Sequence, residues 1–204
     1  IQGLYDNYQI SSGENDYISQ DSNESLKDAV EKFEVLMAVY NNGNKLANNC
    51  IKKLKINSED DYNNELKKVL RELNNFSCYL PISDVERIFN SIFFFEYMQI
   101  FIKITEDEKK NDPEDYHQDS LSYALHIILN CAKRSNSLCE KIILRGILLQ
   151  ITEDINFYSK FCKYTSYSIF AEIFNKKNFG QKGFREFVKC LAEKHLTKEN
   201  YDDD

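Results

Sequence analysis

The sequence predicts an all-α domain of eight or nine helices stacked in pairs, and three observations predict it. Apolar residues recur at steps of three and four through most of the chain. Only 6 Gly and 2 Pro among 204 residues leave little turn chemistry for an all-β fold. The stretch 120–149 reads as a complete structural unit. In it Leu121, Ala124, Leu125, Ile128, Leu129 and Ala132 form one helical stripe, and the polar turn from Lys133 to Asn136 ends it. Ser137 with Glu140 three positions later matches a capping box, so a second helix starts there and runs through Leu138, Ile142, Ile143 and Leu144. At Arg145-Gly146 the chain turns, because glycine tolerates positive φ. Ile147, Leu148 and Leu149 then open a further apolar segment. Such a unit buries its faces only by stacking on its neighbours.

The remaining elements follow in order. Residues 1–22 are polar and acidic without a sustained period, and are expected to form a flexible acidic segment ahead of a single helical domain at 23–201. Ser25 and Asp28 start the first helix, with the stripe Leu26, Val30, Phe33, Met37 and Tyr40, and Asn41-Asn42-Gly43 stops it. Leu46, Ala47, Cys50, Ile51 and Leu54 make a shorter helix. Ser58 and Asp61 cap a third that carries Tyr62, Leu66, Val69, Leu70, Leu73 and Phe76, and Pro81 closes this section. Ser83 and Glu86 form another capping box, leading into one central helix through Ile102. Its apolar residues, from Val85 through Ile92 and Phe95 to Phe101, cover much of the circumference. Residues 105–119 are charged, include Pro113 and predict an exposed loop.

Beyond the unit at 120–149, Ile155, Tyr158, Phe161, Tyr167, Phe170, Ile173 and Phe174 keep helical spacing. The aromatic row Phe157, Tyr158, Phe161, Tyr164, Tyr167 and Phe170 reads as core. Gly180 and Gly183 bracket a turn before a last helix with Phe184, Phe187, Val188 and Leu191, and residues 202–204 make a polar end.

A net charge of −7 and a pI near 5.1 argue against nucleic acid as the partner, since neutralising phosphate needs clustered Lys and Arg. No run of uncharged apolar sequence is long enough to span a bilayer. The nearest, Ile82 to Ile104, is broken by Asp84, Glu86, Arg87, Glu96 and Lys103. The first residue is Ile1 rather than Met, so a processed or partial chain is expected. Cys50, Cys78, Cys131, Cys139, Cys162 and Cys190 are scattered among apolar positions, which fits reduced, buried thiols and a cytoplasmic location.

Little in the sequence points to catalysis. His117, His126 and His195 lack Cys or His partners at zinc-site spacing. Glu114-x-x-His117 occurs once, whereas carboxylate-bridged metal sites need two such pairs. No phosphate loop, dinucleotide fingerprint or nucleophile turn is present. Neither a cofactor, nor a metal, nor a small-molecule ligand is expected. Charge is uneven, however: Lys176, Lys177, Lys182, Arg185, Lys189, Lys194 and Lys198 outnumber the acids around them. Lys182, Arg185 and Lys189 are therefore the candidate face for an acidic protein partner.

The unit at 120–149 resembles armadillo-type and HEAT-type repeats, which implies stacked helical pairs wound into a right-handed superhelix. Three stretches are similar to the calcium-binding protein 39 family of scaffolds. They are Asp84 to Ile92, Ala124 to Leu144 ending in Lys141-Ile142-Ile143-Leu144, and Glu199-Asn200-Tyr201 after a helix bearing Phe184 and Phe187. That resemblance implies a noncatalytic scaffold that binds and regulates a protein kinase or pseudokinase. The family's pocket for a partner tail lies in later repeats, so no binding residue carries over. Two other classes stay open. One is a helical regulatory domain docking onto a large macromolecular assembly, and the other is a helical enzyme using His126 or a cysteine.

Overall fold

The computed structural model describes residues 12–41, 56, 58–90, 94–111, 118–155 and 158–176. Among them there are eight α-helices and no strand. They are α1 (Ser12–Asn41), α2 (Glu59–Tyr79), α3 (Ile82–Phe89), α4 (Phe94–Asn111), α5 (Gln118–Arg134), α6 (Asn136–Leu144), α7 (Ile147–Asp154) and α8 (Lys160–Asn175). The shorter helix expected from Leu46 to Leu54 and the last helix from Phe184 to Leu191 lie outside the described residues.

Local chemistry sets most boundaries. Ser58 is the N-cap of α2, its hydroxyl accepting from the Asp61 amide at 3.1 Å. Gly146 takes φ 69°, the left-handed conformation in which α6 gives way to α7. Three expectations need correcting. First, α1 starts at Ser12, inside the stretch read as an acidic extension. Once nucleated by the buried stripe further on, a helix propagates at little cost and needs no apolar period of its own. Second, the expected loop at 105–119 is largely helical: residues 105–111 continue α4 and 118–119 begin α5. Its Glu and Lys residues are good helix formers.

Third, the single central helix is two. Asn90 ends α3 at φ −74°, ψ 0°, and α4 begins at Phe94. The apolar residues seemed to encircle one helix because two successive helices each bury a stripe of their own. Val85 and Phe89 belong to one, and Phe94, Phe95, Met98, Phe101 and Ile102 to the other. The capping boxes shift as well. The N-cap of α3 is Pro81, with no side-chain bond, and that of α6 is Ser135 rather than Ser137. The Ser135 hydroxyl accepts from the Leu138 amide at 3.0 Å and donates to Glu86, so the corner is fixed two residues early.

The packing is ordered. α1 lies on α2, α2 on α5 and α5 on α8, forming one row of helices. The remaining helices, α3, α4, α6 and α7, pack on this row and on one another. Two successive three-helix segments, α2-α3-α4 and α5-α6-α7, pack part against corresponding part: α2 on α5, α3 on α6 and α4 on α7. Their junction is polar at the corners. The Arg134 guanidinium donates to the Ser77 and Leu80 carbonyls at the end of α2, and Lys141 donates to the Asn90 carbonyl at 3.2 Å. Arg145 pairs with Glu96 at the start of α4. At the core, the Phe94 ring stacks on Phe89 at 4.3 Å between centroids and meets Phe33 at 5.6 Å, where α1, α3 and α4 converge.

Candidate functional site

α8 is the last described helix of the row, and its two sides differ in kind. Ser159 caps it by accepting from the Cys162 amide at 3.2 Å. The buried side carries Cys162, Thr165, Ser166, Ile169 and Ile173. Thr165 and Ser166 donate to the Phe161 and Cys162 carbonyls one turn back, at 3.2 and 2.9 Å, so their hydroxyls are satisfied where they are buried. This side packs on α5. The aromatics are thereby turned outward: Phe161 is 57% exposed, Tyr164 72% and Tyr167 60%.

This corrects the expectation that the aromatic row is core. Of that row, Tyr158 is buried, Phe170 is half-buried against Phe174 at 6.1 Å, and Phe157 lies outside the described residues. The remaining three occupy one strip at steps of three. Periodicity reports which residues share a face, and the small residues opposite were the signal that the aromatic face is the outer one. The imidazole of His126 on α5 lies 5.5 Å from the Phe161 ring, stacked at 27°. Its Nδ1 donates to the Ser122 carbonyl at 2.8 Å. A hydrogen-bonded imidazole thus supports the end of the aromatic strip.

A groove lies between α1 and α3, about 500 Å³ in volume. Its apolar lining is the buried Val30 of α1 and the half-buried Ile88 of α3. Glu24, Lys27, Glu31 and Glu34 line the α1 bank, with Arg87 opposite. Lys27 pairs with Glu31 at 3.7 Å and Arg87 with Asp84 at 3.1 Å, both at the surface.

The predicted basic face, Lys182, Arg185 and Lys189, lies outside the described residues, as do His117, His195, Cys50 and Cys190. Cys131, Cys139 and Cys162 are buried thiols, while Cys78 is exposed, contrary to the expectation that it is buried: it lies in the last turn of α2, where its Sγ accepts from the polar Asn130 side chain of α5 at 3.0 Å. Among the described residues no group of three or more His, Cys, Asp or Glu is placed to hold a metal ion. No described helix is long and apolar enough to cross a membrane. No protein-family model, curated protein or solved structure matches the chain.

Proposed function

We propose that the chain is a noncatalytic protein-interaction module, an armadillo-like stack that presents one aromatic helix face to a protein partner. The observation that carries this reading is the exposed strip of Phe161, Tyr164 and Tyr167 on α8. Large aromatics bury much area for little side-chain entropy and are enriched among the residues that carry binding energy at protein interfaces, and contiguous exposed apolar patches mark interaction sites. The part-to-part packing of α2-α3-α4 on α5-α6-α7 supports the repeat architecture. The buried thiols support a reducing compartment such as the cytoplasm. A protein kinase or pseudokinase as the partner rests on the family resemblance alone.

The test is photo-crosslinking. A benzophenone side chain at Tyr164 is compared in source lysate with one at exposed Lys68 on α2. A defined protein crosslinked at Tyr164, absent at Lys68, and lost when Phe161 and Tyr167 are both changed to Ser, is the expected result. A kinase among the products supports scaffolding of kinases, and an assembly subunit supports docking onto a large complex. Identical products from the two positions would sink the reading.

A further inference from the structure

We propose that the partner of the α8 strip is a second copy of this chain, whose own α8 lies antiparallel along it in a two-fold dimer. The proposal rests on the reading of α8 as an interaction face and names what that face takes.

Spacing identifies the occupant as a helix. Tyr164, Tyr167, Ala171 and Phe174 are all exposed and are separated by three, four and three residues. That alternation is the seam of a two-helix coiled coil, in which the apolar positions keep facing one neighbouring helix along their length. An extended peptide presents a side chain to one face at every second residue and does not follow it.

Side-chain size makes the seam complementary to itself when the copies run in opposite directions. A two-fold axis at the level of Ile169 sets Tyr167 of each copy opposite Ala171 of the other, and Tyr164 opposite Phe174. A large ring then lies over the smallest side chain at the centre, and an aromatic pair closes each end. In a parallel pair Tyr167 would meet Tyr167 and Ala171 would meet Ala171, crowded at one level and empty at the next.

Charge favours the same direction. α8 carries Lys160 and Lys163 at its start, with no acidic residue in its first turn and no basic one in its last. Its cations therefore stand at the positive end of its own macrodipole. An antiparallel copy brings its carbonyl end to these lysines, whereas a parallel copy would place lysine beside lysine. Glu172 and Lys176 both act on Cys139 of α6, so they stand beside the seam.

Area sets the strength. Phe161, Tyr164, Tyr167 and Phe174 are 57%, 72%, 60% and 38% exposed. With about 200 Å² for a whole aromatic side chain, the strip offers about 450 Å² per copy. A dimer burying about 900 Å² in total falls at the low end of specific interfaces, so it is reversible and micromolar.

Sedimentation of the full chain from about 1 to about 200 μM brackets that affinity. Reductant keeps the exposed Cys78 from linking copies. The average mass should rise from 24.0 kDa toward that of a dimer. Ala171→Gln fills the space over which Tyr167 lies and should weaken association at least about tenfold, as should Tyr167→Ser, while Lys68→Gln on α2 should leave it unchanged. Direction is read from a benzophenone at Tyr164 in an equal mixture of light and nitrogen-15 chains. The product should join the two isotopes and lie around Phe174 of the other copy.

A monomer at every concentration overturns the proposal, as does a dimer that Ala171→Gln and Tyr167→Ser both leave intact. Attachment around position 164 of the other copy would make the pair parallel and overturns it too. Products without mixed isotopes, mapping to residues 177–204, would give the strip to the chain's own end instead. The reading of α8 as an interaction face fails separately, on identical lysate products from Tyr164 and Lys68. A monomer that still captures one defined protein at Tyr164 therefore overturns self-pairing alone.

Discussion

Arg134 holds the backbone carbonyl of Leu80: from the last turn of α5 its guanidinium reaches the corner between α2 and α3, donating to Leu80 and also to Ser77. The carbonyls that end a helix have no partner within it, and a planar fork of N–H donors meets two at once. Asn130, one turn earlier, donates to the Asn74 side chain at 3.2 Å and the Ser77 hydroxyl at 2.9 Å. Arg134→Ala should therefore cost about 1–3 kcal/mol. Arg134→Lys should recover only part, because a point charge cannot make both bonds in fixed geometry. Urea unfolding that shows a lower midpoint at unchanged slope checks the first, and a Lys variant equal to wild type would contradict the second.

The two serines of the α5–α6 corner should separate sharply. Ser135 caps α6 and donates to Glu86 across the junction, whereas Ser137 is exposed within the first turn. Ser135→Ala is expected to destabilise the chain by about 1–3 kcal/mol, combining the cap with the lost cross-link. Ser137→Ala should stay within about 0.5 kcal/mol. A double-mutant cycle of Ser135 with Glu86 should give a coupling of about 1 kcal/mol.

Much of the fold was legible in the residues, and the misreadings share a cause. The stripes at Leu26 to Met37, Leu66 to Leu73 and Leu121 to Ala132 are all buried, as their spacing predicts. Ser58 and Gly146 behave as their chemistry demands, because a cap and a positive φ are decided locally. Periodicity does not say which side of a helix its neighbours cover. On α8 both sides are periodic, and the side with Cys162, Ser166 and Ile169 faces α5. Nor does sequence show what lies across a corner: Glu86 looked like half of a capping box, yet its carboxylate accepts from Ser135, 49 residues away. The α1–α3 groove was invisible for the same reason, since its walls are assembled only by packing.

Gly146 supplies a sharper local test. A Cβ at this position would sit 3.4 Å from the Gln99 side-chain nitrogen, an ordinary contact, so space is not the constraint. Backbone conformation is, because φ is +69°. Gly146→Ala should cost about 1–2 kcal/mol, and Gly146→Asn less, since Asn tolerates the left-handed region better. Thermal unfolding of the two variants side by side checks the order, and an Ala variant as stable as the Asn variant would remove conformation as the explanation.

Alkaline pH should loosen the fold through its cysteines. Burial pushes the Cys131 thiol far up, against a smaller lowering by the Arg134 charge, and burial also raises Cys139. An unfolded thiol ionises near about 8.5. Below that pH both states hold the proton and stability is unaffected. Above it the unfolded chain releases the proton and the folded chain keeps it, so stability falls as pH rises, by about 1.4 kcal/mol per pH unit for one fully buried thiol. Urea unfolding under reducing conditions from neutral pH upward measures the slope. Cys131→Ala should flatten it while costing little packing, and an unchanged slope would assign the loss to other groups.

The two sides of α8 give the most direct check on the proposed site. If the aromatic strip is surface, then Phe161→Ser, Tyr164→Ser and Tyr167→Ser should each shift stability by no more than about 0.5–1 kcal/mol, with Phe161 the largest because His126 stacks on it. Ile169, fully buried against α5, should behave oppositely. Ile169→Ala is expected to cost about 2–5 kcal/mol. The argument turns on the contrast, since a helix whose large residues are dispensable for folding and whose small side is not has its aromatics free for another use. Denaturation of the four variants measures it. A loss at Tyr164 comparable to that at Ile169 would place the aromatics in the core after all and remove the surface on which partner docking depends.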